Sequence, residues 1–327
     1  MAEDVAARAS LPVVSASNNG VLAFSSAASM YRNLVIVSRD GKVVRTLGEQ
    51  GFYQAIRLSR DGRTLGVALA NPGNATFDLW SMDLDRAVPV RLTNDNVVNL
   101  FPLFSPDRKD LVFSSSREGL WKVFRKRIGG ASEVERLPLA EGSFLAYDWS
   151  ADGKLVLIAS RMWTPESRLT VQPIAGGQPS VVDVGSTAYN GAMFSPSARW
   201  IAFASRESGA DEVYVKSTAG AGEFPKIRIS RTGGNNPAWS ADERELYFTL
   251  PDGRIMAAKV TATGDRFDAG EPQPLFQTGG YSQYNAAVFW EPIGNGQFVV
   301  LRSAAVAERD NRLTVITNWE NAIKEAR

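Results

Sequence analysis

Short apolar runs that alternate with polar positions recur along the chain between clusters of Gly, Pro, Asn and Asp, and one arrangement of them is repeated. An apolar or aromatic run ends at a serine, a tight polar turn follows, and a second alternating run comes after it, as in "AIRLSRDGRTLGVAL" at 55–69. Ser17, Ser59, Ser105, Ser150, Ser195 and Ser240 hold the same place at separations of 42, 46, 45, 45 and 45 residues, and Glu291 stands at the matching place 51 residues after Ser240. Each unit adds a third run, such as "DLWSMDL" or "EVYVKS", and a short fourth, such as "PVRLT" or "IRIS". Period-two runs rich in Val, Ile, Leu and aromatics read as strands. A repeat of about 40 to 45 residues is the length of a four-stranded propeller blade.

The pattern therefore predicts an all-β, seven-bladed β-propeller of four-stranded antiparallel blades, with six blades as the alternative. Blades are expected to begin near residues 11, 52, 98, 143, 188, 233 and 284, in a single domain over 1–327. The last unit offers only three strands, and an open blade would leave unpaired backbone at its edge. The N-terminal segment, Glu3 to Ala7, is expected to lie beside Leu313 to Asn318 as the missing strand, with "ENAIKEA" as a short C-terminal helix.

The serine beside an aspartate in "SRDG" and "SADG" raises the question of a nucleophile. Asp61, Gly62, Asp152 and Gly153 are what a tight turn requires, because aspartate caps free N–H groups and glycine accepts positive φ. Six copies of a nucleophile make no chemical sense, whereas six copies of a hairpin do. The turn reads as scaffold.

Composition narrows the chemistry. The chain has no histidine and no cysteine, so neither a Ser-His-Asp nor a Cys-His triad can be assembled, and imidazole- or thiolate-based metal sites are disfavoured. No G-x-S-x-G pattern occurs. Carboxylate pairs such as Asp83 with Asp85 or Asp107 with Asp110 remain conceivable acid–base groups, but they fall in turns or at strand ends. No catalytic residue, metal site or cofactor is assigned. With 36 basic and 35 acidic residues and no like-charged block, nucleic acid is not an expected partner. No apolar run reaches the roughly 18 residues that span a bilayer, so membrane insertion by this chain is not expected. "MAEDVAARAS" lacks the apolar centre of a signal peptide.

The repeated turn, the aromatic before it (Phe104, Trp149, Phe194, Trp239) and the strand after it resemble the TolB-type propeller repeats, relatives of the WD repeat. "FSPSARWIAFASRESGADEVYVKS", "WSADERELYFTLPDGRIMAAKV" and the terminal "RLTVITNW" are similar to the C-terminal propeller of acidobacterial Ser/Thr protein kinases. Kinase motifs themselves are missing from the sequence. Ser197 and Ala198 stand where the family has Asp-Gly, which puts that turn's geometry in question. With catalysis disfavoured, a non-catalytic sensor or protein-interaction propeller is expected, as a monomer, and the resemblance implies an extracytoplasmic or periplasmic location. Two alternatives are the gating propeller of a prolyl-oligopeptidase-like peptidase without its hydrolase domain, and a lyase or glycosidase built on carboxylates and tyrosines.

Propellers bind at the axial funnel, so the segments leading into each innermost strand supply the candidate rim. They carry Tyr53 and Gln54, Asn99 and Phe101, Tyr147, Tyr189 and Asn190, Asn235 and Asn236, and Tyr284 and Asn285. Amides and tyrosines can hydrogen-bond a peptide, a protein or a small polar ligand and stack against it. The rim from Tyr189 to Asn285 is expected at one mouth with its side chains partly exposed. Trp80, Trp121, Trp149, Trp200, Trp239 and Trp290 are expected to fill the space between blades.

Overall fold

The structure is a computed structural model, and it describes residues 14–17, 19–25, 31–72, 76–129, 133–139, 142–160, 167–186, 188–218, 225–263, 266–278, 288–303 and 313–317. The hairpin β1 (Val14–Ala16) and β2 (Val21–Ser25) is followed by β3 (Arg32–Val37) and β4 (Val43–Gly51). Five blades then come in succession. The first is β5 (Tyr53–Leu58), β6 (Thr64–Ala70), β7 (Phe77–Asp83) and β8 (Pro89–Arg91), and the second is β9 (Asn99–Phe104), β10 (Asp110–Glu118), β11 (Leu120–Arg127) and β12 (Val134–Arg136). The third is β13 (Phe144–Trp149), β14 (Leu155–Ser160), β15 (Arg168–Pro173) and β16 (Ser180–Val184), and the fourth is β17 (Tyr189–Phe194), β18 (Trp200–Ser205), β19 (Glu212–Ser217) and β20 (Ile227–Arg228). The fifth is β21 (Asn235–Trp239), β22 (Glu245–Thr249) and β23 (Arg254–Thr263), with both β24 (Arg266–Ala269) and β25 (Gln273–Gln277) paired to β23. The chain closes with β26 (Trp290–Gly294), β27 (Gln297–Ser303) and β28 (Leu313–Thr317).

The ring has six blades, not seven. β26 and β27 form the inner half of the sixth blade, and β3 and β4 from the start of the chain supply its outer half, in the order β26-β27-β3-β4. Phe298 faces Val37 and Leu301 faces Leu34 across that junction. The unit counted first in the sequence is therefore divided. Its "LVIV" and "VVRTLG" runs complete the sixth blade, while β1 and β2 join β28 in a separate three-stranded sheet, with Val21 opposite Thr317. The physical reason lies in β3, whose last four residues are all buried, as a strand inside a blade requires. "LTVIT", with two threonines among its five residues, instead lies at the edge of the separate sheet. Serine spacing counts turns, not rings, so it could not distinguish these. Closure is sealed near the axis where Ile56 N–H donates to Val288 O at 3.0 Å. Glu3 to Ala7 and the segment 320–326 lie outside the described residues, among which there is no helix. Accordingly, no helix among them is long and apolar enough to cross a membrane.

The serine turn is a joint. Ser59 Oγ donates to Asp61 Oδ1 at 2.6 Å and accepts from Thr64 N–H at 2.9 Å, while Gly62 N–H closes the turn on Ser59 O. The same set recurs at Ser105, Ser150 and Ser240. The irregular fourth turn keeps the geometry by other means. Ala198 takes the glycine's place with φ 56°, and Ser197 gives its N–H and its hydroxyl to Glu243 of the next turn at 3.0 and 2.8 Å. A non-glycine residue in this region costs roughly 1 to 2 kcal/mol, partly offset by the lower unfolded-state freedom of alanine. Ala198→Gly is therefore expected to stabilise the fold by about 0.5 to 1 kcal/mol. A lower melting temperature in that variant would show that the turn is not strained.

These caps also set an acid limit. The serine hydroxyl first, then a backbone N–H, holds Asp107, Asp152 and Asp242 below the usual carboxylate range. A depressed folded pKa contributes stability that is present above the unfolded aspartate value of about 3.9 and is lost as pH falls through the folded value. The melting temperature is thus expected to drop below about pH 4. In Ser150→Ala, Asp152 loses its largest stabilising bond, so that variant should show a smaller acid-dependent loss; an equal loss would contradict the cap.

Candidate axial site

Six inner strands surround the axis, and their burial fixes what they carry. All residues of β9 and β21 are buried, and β5, β13 and β17 are nearly so. Against that apolar background two charges stand out two places before the turn serine. Arg57 lies between Ile56 and Leu58, and Asp148 lies between Tyr147 and Trp149. Glu291 replaces the serine itself in the sixth blade. All three are more than nine-tenths buried.

These groups meet at the axis. Arg57 Nη1 donates to Glu291 Oε1 at 2.8 Å, its Nη2 donates to Tyr147 O, and Asp148 Oδ1 is 4.0 Å away. The first blade is thereby tied to the sixth and the third. Arg60 adds a second tie, donating through Nε and Nη2 to Trp149 O at 3.1 and 2.7 Å and lying 3.5 Å from Asp148. Asp148 Oδ2 accepts from Phe194 N–H at 2.8 Å, which brings in the fourth blade. Burial pushes the Glu291 carboxyl above its ordinary range, and Arg57 offsets only part of that. Burial opposes the Arg57 charge most strongly, but the two carboxylates outweigh it and raise its pKa.

Above this cluster a cleft of about 240 Å³ opens at the ends of the inner strands, bounded by Gly62, Leu103, Trp149, Met193, Trp239 and Ile293 among others. Beneath it, on the other side of Arg57 and Glu291, lies a small void of about 10 Å³. The charged pair forms a septum across the axis.

The rim residues expected from the sequence fall elsewhere. Tyr53, Asn99, Tyr189 and Asn235 begin β5, β9, β17 and β21, so they sit at the opposite end of the inner strands from the cleft. Tyr53, Asn99, Phe101, Tyr147, Tyr189, Asn190, Asn235 and Asn236 are all buried, and Gln54 is half-buried, which for Tyr189, Asn190, Asn235 and Asn236 corrects the expectation of partly exposed side chains. The reason is that they belong to the strands, where neighbouring blades converge, and not to the loops. Their polar atoms are used inside the protein. Asn99 Nδ2 donates to Asp95 at 2.8 Å, Asn190 Nδ2 to Asp211 at 2.9 Å, Tyr189 Oη to Asp183 at 3.1 Å, and Tyr53 Oη to Glu49 O at 2.7 Å. Tyr147 Oη donates to Tyr189 O at 2.5 Å and joins the third blade to the fourth. Tyr147 and Asn236 do border the small void. Tyr284 and Asn285 lie outside the described residues.

The carboxylate pairs serve structure. Asp83 caps the N–H groups of Asp85 and Arg86, Asp107 holds its turn, and Asp110 pairs with Arg125 at 2.6 Å. Among the described residues, no group of three or more acidic side chains is arranged to hold a metal ion. Of the six tryptophans expected between blades, Trp149, Trp200, Trp239 and Trp290 are buried within the apolar clusters, and Trp80 and Trp121 pack against them. Trp149 and Trp239 reach the cleft as well.

No protein-family model matches the chain. Solved structures do. A TolB protein of Agrobacterium tumefaciens superposes with TM-score 0.61 at 18% identity, covering 84% of this chain and 98% of that one. The fold is a TolB-type β-propeller. TolB of Acinetobacter baumannii gives TM-score 0.56 at 13% identity over 81% of this chain and 68% of its own. Hydrazine synthase of Kuenenia stuttgartiensis gives 0.57 at 14% identity over 94% and 92%. By sequence, an uncharacterized protein of Agrobacterium fabrum is 37% identical over 84 residues, a stretch that spans 25% of this chain and 28% of that relative's length. These matches are to bacterial proteins, and at such identities the structural ones speak to the TolB-type fold alone.

Proposed function

We propose that this TolB-type propeller is a non-catalytic protein-interaction domain that binds a segment of a partner at the axial cleft. The supporting observation is the cleft itself, bounded by the ends of the inner strands and floored by buried charges that tie the blades together. The lack of histidine and cysteine and the structural use of the carboxylate pairs favour binding over turnover. An extracytoplasmic location is proposed on the TolB resemblance.

The test is selection of peptides on the purified protein, with Ala241→Trp as the counter-screen. Ala241 is an exposed residue on the cleft wall, so the indole narrows the mouth without touching the buried charges. Peptides bound by the parent and lost in the variant support the reading. Peptides bound equally by both, or a substrate turned over by the parent, would overturn it.

A further inference from the structure

One oxygen at the axis is not used by the scaffold. Glu291 is 3% exposed, its Oε1 accepts from Arg57, and its Oε2 has no hydrogen-bond donor among the described residues. The side chain borders both the cleft and the void beneath it. A carboxylate oxygen that borders the cleft without a protein donor is a ready acceptor for any N–H brought into it.

The surrounding charges decide which donor fits. Arg57 is shared between Glu291 at 2.8 Å and Asp148 at 4.0 Å. Arg60, the other cation facing the cleft, is spent on Trp149 O and Asp148. Asp61 at the edge is drawn to Arg108 at 3.2 Å. The cations and carboxylates at the floor balance in number, and the acceptor that faces the cleft without a protein donor is the second oxygen of Glu291. The walls agree with a cation on an aliphatic stem: Phe104, Trp149 and Trp239 border the cleft together with Met193 and Ile293. Aromatic faces attract cations, and apolar side chains cover a methylene stem while its charged head reaches a polar group.

We propose that the axial cleft takes a cationic N–H donor, the ammonium or guanidinium of a lysine or arginine side chain on a partner, with Glu291 Oε2 as its acceptor. This rests on the axial-binding reading and narrows its ligand. The buried carboxylate gains the missing donor, and the cleft's aromatic wall holds the stem.

The experiment is titration of the full chain with N-acetyl-lysine and N-acetyl-arginine methylamides, followed by amide chemical shifts, against the norleucine and glutamate methylamides. The basic probes are expected to bind saturably, to shift Gly62 and Gly294, and to weaken with salt, while the neutral and acidic probes do not bind. Glu291→Gln is expected to lower affinity for the basic probes about tenfold or more, since it removes the charge of the acceptor. Because that variant also perturbs Arg57, Ala241→Trp provides a second arm that leaves the pair intact and should block the probes. Preferred binding of the acidic probe, equal binding of the neutral one, undiminished binding in a folded Glu291→Gln, or no binding of any probe would each overturn the proposal. If the basic probes fail while selected peptides still depend on an open cleft at Ala241, only the ligand class is wrong. If both fail, the axial reading falls with it.

Discussion

Arg57→Ala is expected to destabilise the protein by about 3 to 5 kcal/mol, because it leaves the buried Glu291 carboxylate without its cation. The size follows from burial: Arg57 and Glu291 are 7% and 3% exposed, and the guanidinium is the bond donor that joins the sixth blade's inner strand to the first and third. The loss should depend on pH in a defined direction. Without Arg57, the Glu291 carboxyl, already raised by burial, rises further. The folded variant then binds a proton that the unfolded chain, with a glutamate pKa of about 4.3, releases. Where the folded state binds more protons, stability falls as pH rises, so the deficit of the variant grows from about pH 5 toward neutrality and shrinks on acidification. Urea unfolding of parent and variant at several pH values measures this. A deficit that is constant from pH 5 to 7.5 would mean that Glu291 is not desolvated. Replacing both partners by apolar residues of similar volume, Arg57→Met with Glu291→Leu, should recover much of the loss.

Phe298→Ala has the other large expected effect, about 3 to 5 kcal/mol, through a cavity at the ring closure. Phe298 is fully buried in β27 and sits 5.1 Å from Tyr247, 5.2 Å from Phe276 and 6.1 Å from Trp290, ring centroid to centroid. Its strand neighbour is Val37 of β3. One side chain therefore holds the fifth blade, the inner half of the sixth and the N-terminal strands that complete it. Removing it should lower the denaturation midpoint and loosen β3 selectively in hydrogen exchange. If the amides of Leu34 to Val37 kept their protection, the closure would not depend on this packing.

The repeat was legible in the sequence because each blade uses the same turn chemistry, and serine, aspartate and glycine at fixed offsets report it directly. What spacing could not convey was which strands pair. β3 and β28 are both short apolar runs at the third-strand place of their units, and only burial on both faces at Leu34 to Val37 separates an interior strand from an edge one. The burial of the candidate rim amides was hidden for a related reason. Asn99 and Asn190 look like loop amides in the sequence, yet they lie at the first turns of buried strands and are spent on Asp95 and Asp211. The signal at the axis was nonetheless present: a lone arginine and a lone aspartate inside apolar strands at Arg57 and Asp148, and a glutamate at the serine place at Glu291. Single charges there cannot be neutral scaffold unless they find one another. Another regularity was unread, the acid on a third strand that holds an R-x-[ST] on the fourth. Asp78 binds Arg91 and Thr93, and Glu212 binds Arg228 and Ser230, which pins two outer strands.

The most direct measurement of axial binding is a residue-resolved map of the contact surface, made by titrating a selected peptide into isotope-labelled protein. The shifts are expected to cluster at the cleft, at Gly62, Leu103, Met193, Ala241 and Gly294 from five different blades, and to vanish in Ala241→Trp. Shifts confined to the outer strands such as β4 or β8, with the cleft residues unmoved, would contradict binding at the axis.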